Sequence, residues 1–241
     1  MAGAITVLLC WSLGAFATDF ALTGWSGQLW GEYTSPYFTN NPSVGNVACD
    51  DFLDTSYVGI TYTYKQTSAT SIIQGSQNGL WGQGSNYEVG AYLALQIFQS
   101  SGNMLRQEYY NWALWSYFDP TDALAAMNKN GVDSVGCNAI FGNGAYSGGK
   151  CTYGTGGLIG DAMGKAGAAY ASGAFNNLVL YTPQVQGGNQ FCGQAGHCQS
   201  QEFFGQVPDG GSQLAYLGLA ALACVGAACY SRRNAFLEQT R

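Results

Sequence analysis

Tyr110-Asn111-Trp112-Ala113-Leu114-Trp115-Ser116-Tyr117-Phe118-Asp119-Pro120 is the stretch on which the fold class turns. Tyr109, Trp112, Ala113 and Ser116 fall at helical spacing, while Trp115 and Phe118 widen the arc that needs burial. The residue before a proline is disfavoured in the α region, so a helix starting at Met104 is predicted to stop at Asp119-Pro120.

Working outward, helices cluster in the middle of the chain. Upstream, Val89, Tyr92, Leu93 and Gln96 share one helical face, with Leu95 and Phe98 beside it, until Ser100-Ser101-Gly102 ends the segment. Downstream, Thr121 is expected to cap a short helix through Asn128, closed by Asn130-Gly131. A Gly-rich loop over 142–157 leads into a small-residue helix over 158–174. Strands flank this block. Residues 23–38 place Trp25, Trp30, Tyr33 and Tyr37 amid Gly, Ser and Thr, as in a twisted edge hairpin. Residues 57–65 alternate, with Val58, Ile60, Tyr62 and Tyr64 on one side, and 178–182 and 202–207 read as later strands. The expected fold is α+β: a β-rich sheet or sandwich with a central group of helices, in which strands from both ends of the body meet.

The two ends of the chain carry addresses. Val207-Pro208-Asp209-Gly210-Gly211-Ser212 precedes a charge-free run over 214–230, and Arg232 and Arg233 follow it. The run is at the lower edge of the roughly 17–25 residues that cross a bilayer core as a helix. A buried core helix would want a polar face, which Leu214, Leu217, Leu219, Leu222 and Val225 among Ala, Gly and Cys do not leave. Basic residues favour the cytoplasmic side, so the body is expected outside. Residues 4–17 form an apolar stretch ending in Ala15-Phe16-Ala17, a small-x-small pattern like a signal-peptidase site. The expected division is a signal peptide at 1–17, one extracellular domain at 18–206 and a sorting tail at 207–241, with its motif at 207–212, transmembrane helix at 214–230 and basic end at 231–241.

Composition fits an exported body. Residues 18–206 hold twelve acids against five bases, which argues against nucleic acid as a partner. Charged residues make up 9% of the chain, well under the roughly 25% of ordinary soluble domains. Gly, Asn, Gln, Ser, Thr and Tyr supply the polarity instead. That surface suits an extracellular polysaccharide or self-association.

Five cysteines lie in the body, and in an oxidising compartment the simplest pairing is Cys137–Cys151 and Cys192–Cys198, each closing a Gly-rich loop, with Cys49 left unpaired. Connectivity does not follow from sequence alone. Zinc at Cys192, His197 and Cys198 is the competing reading, but Cys-x5-Cys is not knuckle spacing, and no metal or cofactor is expected.

The order of motif, apolar helix and basic end resembles the sorting tail of the PEP-CTERM family, in its variant with Val-Pro-Asp-Gly-Gly-Ser. The resemblance implies export, a transient inner-membrane intermediate, and cleavage near Pro208 by an exosortase-like protease. The eight residues 234–241 beyond the arginines depart from such tails. The body, from Cys49-Asp50-Asp51-Phe52 through the 92–98 and 110–120 segments to Leu178-Val179-Leu180-Tyr181-Thr182-Pro183, looks like the layout of a group of PEP-CTERM extracellular proteins. It is also similar, more distantly, to the thioester domains of surface adhesins, where a cysteine crosslinks to the glutamine of a Thr-Gln-x-Ala-Ile-Trp-like helix. Ala113-Leu114-Trp115 matches the end of that motif and Cys49 its cysteine, but Asn111 occupies the glutamine position, Tyr110 the threonine position, and Gln107 lies four residues earlier. Without that match, Cys49 is a small buried core residue.

Other chemistry is weakly signalled. Asp50, Asp51 and Asp54 carry oxygen ligands for a hard cation, without the spacing of a dedicated calcium loop, and aspartates equally serve turns and caps. Glu88, Glu108 and Asp119 are carboxylates of the type used in glycoside hydrolysis, with no spacing that selects them. A serine hydrolase would need His197, and no Gly-x-Ser-x-Gly elbow accompanies it. Tryptophan and tyrosine can stack on sugar rings or fill a β-rich core. The expectation is a non-catalytic surface or extracellular-matrix protein. An adhesin-like binding module, thioester-like or carbohydrate-binding, comes second and a secreted hydrolase third.

Overall fold

The computed structural model describes residues 16–52, 56–184 and 201–207. The signal segment to residue 15, the Cys192–Cys198 pair, His197, Asp54 and the tail beyond Val207 lie outside them. Among the described residues no helix is long and apolar enough to cross a membrane.

Strands β1 (Phe16–Leu29), β2 (Glu32–Thr39), β3 (Asn46–Cys49) and β4 (Thr61–Ser68) come first. Helices α1 (Ala69–Ile73), α2 (Ser85–Gln99), α3 (Met104–Phe118), α4 (Pro120–Lys129) and α5 (Ser134–Phe141) follow. A two-stranded hairpin, β5 (Tyr146–Ser147) and β6 (Lys150–Cys151), precedes α6 (Gly157–Ala171), and β7 (Leu178–Pro183) and β8 (Phe203–Gln206) complete the body.

The α+β class stands, and the expected β-rich sheet is six-stranded and antiparallel, closing into a barrel in the order β1-β2-β3-β8-β7-β4 rather than forming a sandwich. Its closure depends on β1. Residues 16–21 pair with β4, while 22–29 pair with β2, and the register shifts between Leu22 and Gly24 and again between Trp25 and Gly27. Such bulges bend a strand and increase its twist, allowing one long strand to serve two neighbours around a corner. The 23–38 hairpin therefore forms, but it is not an edge. As expected, strands from both ends of the body meet, since β8 inserts between β3 and β7.

Trp30 and Gly31 make the hairpin turn, both with positive φ (49° and 83°), the combination a two-residue hairpin with right-handed strand twist requires. Tryptophan is an unusual occupant of the left-handed region. Its indole is held against Trp112 and Tyr109 and lies over Gly136 of α5, where an added Cβ would come within 2.1 Å of the ring. This contact fixes the hairpin onto the helical layer.

Phe20, Tyr64, Tyr181 and Phe203 fill the barrel, with Phe20 and Tyr64 stacked at 4.1 Å. Helix α3 has the expected bounds and is buried on nearly every side from Gln107 to Ser116, since it packs on α2, α6 and α5 as well as on β1 and β2. The cap of α4 is Asp119, whose carboxylate accepts from the Asp122 N–H, with Pro120 in the first turn, so Thr121 is not the cap. The fourth strand starts at Thr61 and runs to Ser68, later than the expected 57–65. The Gly-rich 142–157 segment contains the small β5–β6 hairpin. Cys151 of that hairpin is joined to Cys137 of α5 by a disulfide, and Asn128 of α4 brackets it, accepting from the Cys151 N–H and donating to its carbonyl.

Candidate functional site

Helix α3 is closely packed from Gln107 to Ser116, so its middle can hold a side chain against the barrel wall with little freedom. At its middle Asn111 reaches into the seam between β2 and β3. Its Nδ2 donates to the Cys49 carbonyl at 3.1 Å, and its Oδ1 accepts from the Ser35 N–H at 2.5 Å. Ser35 answers through its hydroxyl, which accepts from the Cys49 N–H at 2.9 Å. Asn111, Cys49 and Ser35 are all fully buried. The two sequence candidates Cys49 and Asn111 are thus neighbours, though Asn111 contacts the backbone of Cys49; the thiol donates to the Asp51 carbonyl at 2.9 Å. Gln107 is engaged elsewhere, donating to the carbonyl of Ile97 in α2.

Burial pushes the Cys49 thiol well above its usual range, and the neighbouring Asp51 and Asp50 push it further. The Trp115 indole beside the sulfur eases this only slightly. Cys49 is therefore held as a neutral thiol.

Beyond Cys49 the chain enters a second buried polar cluster that sequence reasoning missed. Glu202, just before β8, accepts from the Leu80 N–H at 2.9 Å, from the Tyr87 hydroxyl of α2 and from the Thr182 hydroxyl of β7. Tyr87 in turn accepts from the Trp81 N–H at 2.8 Å. Asp50 lies against Glu202, and among the described residues no donor reaches either of its oxygens. A carboxylate buried without a donor is too costly to keep ionised. Asp50 accordingly takes the proton and directs it at Glu202, which is equally buried but better supplied with donors of its own. Burial first, then the charge of Glu202, raises the Asp50 carboxyl well above its ordinary value. Asp50 and Asp51 are both buried, and no cluster of three or more metal-ligating side chains forms among the described residues.

The third feature is open. A cavity of about 420 Å³ lies at the bulged part of the β1–β2 hairpin, walled by Trp25, Tyr33, Tyr37, Tyr57, Phe52 and Trp115, with Glu32, Ser56 and Gln201 as polar lining. It falls in the range of ordinary small-molecule sites, about 300–1,000 Å³. Trp25 and Tyr33 pair with ring centroids 3.8 Å apart and remain 37% and 47% exposed. Tyr37 is the fixed floor, its hydroxyl donating to the Tyr33 carbonyl. Gln201 and Ser56 are tied together, the Gln201 N–H donating to the Ser56 hydroxyl at 3.1 Å. Trp115 and Tyr37 both line the cavity and both neighbour Cys49, so the cavity and the Asn111 seam share a wall.

The three carboxylates considered for glycoside hydrolysis have separate positions. Glu88 sits in the first turn of α2, Glu108 is buried against Gly27 of β1, and Asp119 caps α4. Burial raises Glu108 and Asp119 above the usual carboxylate range.

No protein-family model, no curated protein and no solved structure matches this chain. The reading of function therefore rests on the residues and their geometry.

Proposed function

We propose that this chain is an exported surface or extracellular-matrix protein with a non-catalytic interaction role, released through a PEP-CTERM-like tail by an exosortase-like protease. The disulfide between Cys137 and Cys151 carries this reading. Such bridges form and persist outside the reducing cytosol, and this one closes a Gly-rich stretch that has little core of its own. The low-charge surface and the open aromatic cavity support an interaction role. On this reading 1–17 is a signal peptide, 214–230 is a transmembrane helix that retains the chain in the inner membrane until cleavage, and the mature body reaches the cell surface or matrix. Mass spectrometry of protein recovered outside the cell tests it. The expected result is a body that lacks peptides from 214–230, and tail peptides in the released fraction refute it.

A second reading, an adhesin-like binding module on a thioester-domain-like scaffold, is supported by the contact of the Asn111 carboxamide with the Cys49 backbone. Intact mass of the exported protein shows whether a thioester forms on it, by the presence or absence of one ammonia.

A further inference from the structure

We propose that the cavity walled by Trp25, Tyr33 and Tyr57 binds a neutral, β-linked pyranose chain. This assignment rests on the interaction role proposed above and names its ligand class. The first support is the exposed ring pair. Burying two large aromatic side chains in the core would be favourable, yet Trp25 and Tyr33 stand 37% and 47% open beside a cavity whose other walls are also aromatic. A β-linked pyranose with equatorial substituents presents flat faces of C–H groups and a rim of hydroxyls. The faces match adjoining rings, and the hydroxyls need acceptors at the edge.

Charge narrows the class. Among the described residues no lysine, arginine or histidine lines the cavity, and Glu32 is the one charged side chain on its wall. A uronate or sulfated sugar would meet a carboxylate with no cation to offset it, whereas a neutral sugar can donate two hydroxyls to Glu32. An aliphatic or purely aromatic ligand would leave Glu32 desolvated and unpaired, which is costly.

Rigidity is the last support. The floor is fixed by the bond from the Tyr37 hydroxyl to the Tyr33 carbonyl, and Phe52 packs edge-on against Trp115 at 5.1 Å. The site is thereby formed before the ligand arrives, which lowers the ordering cost of binding.

The test is isothermal titration of the full chain, held in a sugar-free zwitterionic detergent, with cellohexaose and with an acidic oligogalacturonate of the same length. Cellohexaose is expected to bind saturably and at least tenfold more tightly than the oligogalacturonate. Tyr33→Ala and Trp25→Ala should each weaken cellohexaose at least tenfold, Trp25→Phe should restore most of the loss, and Glu32→Gln should cost several-fold and narrow the gap between the two oligosaccharides. Thermal melts of the variants separate lost binding from lost folding. Absence of heat with cellohexaose, or equal binding by the folded Tyr33→Ala variant, overturns the assignment. Neither result touches the export reading, which fails only if the tail stays on the released protein.

Discussion

The carboxamide of Asn111 in α3 bridges Ser35 and Cys49, accepting from the backbone of the first and donating to the backbone of the second. Strands β2 and β3 pair only through Tyr37–Val47 and Phe38–Asn46. Beyond that point Asn111 and the Ser35 hydroxyl take over the polar groups that the ladder would otherwise satisfy. A helix side chain thus completes the barrel wall beside the thiol.

Replacing Asn111 with alanine should therefore cost about 2–4 kcal/mol, since two buried backbone groups lose partners in a site closed to water. Asn111→Asp keeps an acceptor for Ser35 but sets a carboxylate against the Cys49 carbonyl, and should be worse at neutral pH than at pH 4. Urea midpoints of the two variants at both pH values check this; a loss below about 0.5 kcal/mol for the alanine variant would mean that water replaces the carboxamide.

The Asp50–Glu202 pair predicts a pH dependence of definite sign. Asp50 holds its proton in the folded state more tightly than its ordinary value of 3.8 allows in the unfolded chain. Folding therefore takes up a proton as pH rises past about 4, and stability is fully present below that point and declines with rising pH until the folded group itself titrates. Glu202, Glu108 and Asp119, also raised, add to the same slope. Asp50→Asn keeps the shape and can donate permanently to Glu202, so it should flatten the decline by up to about 1.4 kcal/mol per pH unit and be more stable than the parent at pH 7. Denaturant titrations between pH 4 and 8 measure both slopes.

What was legible in the sequence follows from how local each determinant is. Helix α3 was, because Pro120 stops it and its aromatic spacing is long and regular. Helix α5 was not: it has eight residues and carries Gly136, which reads as loop until Trp30 is seen lying over it. Strand β3 was too short at four residues to show alternation. Barrel closure was hidden because it depends on bulges in β1, which shift register without an obvious residue signature. At the site, Cys49 and Asn111 were named because a motif joins them across 62 positions. The Glu202 cluster had no such aid, with Tyr87 standing 115 positions away; a lone glutamate against Phe203-Phe204 was the one hint.

Cys49 should behave as an inert thiol in the folded protein. It is fully buried, its sulfur is bonded to the Asp51 carbonyl, and burial with two neighbouring aspartates disfavours the thiolate that alkylating reagents need. Iodoacetamide labelling of the Cys49 peptide, followed by mass spectrometry, should rise only along the urea unfolding curve. Rapid labelling in native buffer would place the thiol within reach of solvent.

Breaking the Cys137–Cys151 bridge separates its local from its global role. The bridge closes a loop of 14 residues in sequence separation, for which the chain-entropy account gives about 3 kcal/mol. Both cysteines are nearly inaccessible, and Asn128 holds Cys151 by two further backbone bonds that do not depend on the sulfur. The Cys137→Ser, Cys151→Ser double variant should consequently fold to the same barrel but melt earlier, with the loss shared between a freed β5–β6 hairpin and a weakened contact of α5 with α6. Hydrogen exchange resolves the two: protection should fall first at the Thr152 N–H, which is bonded to the Ala145 carbonyl at 2.8 Å, and remain near parental values at the Phe20, Tyr64 and Tyr181 strands. Equal loss in the barrel strands would show that the bridge supports the whole body and not only the Gly-rich segment it closes.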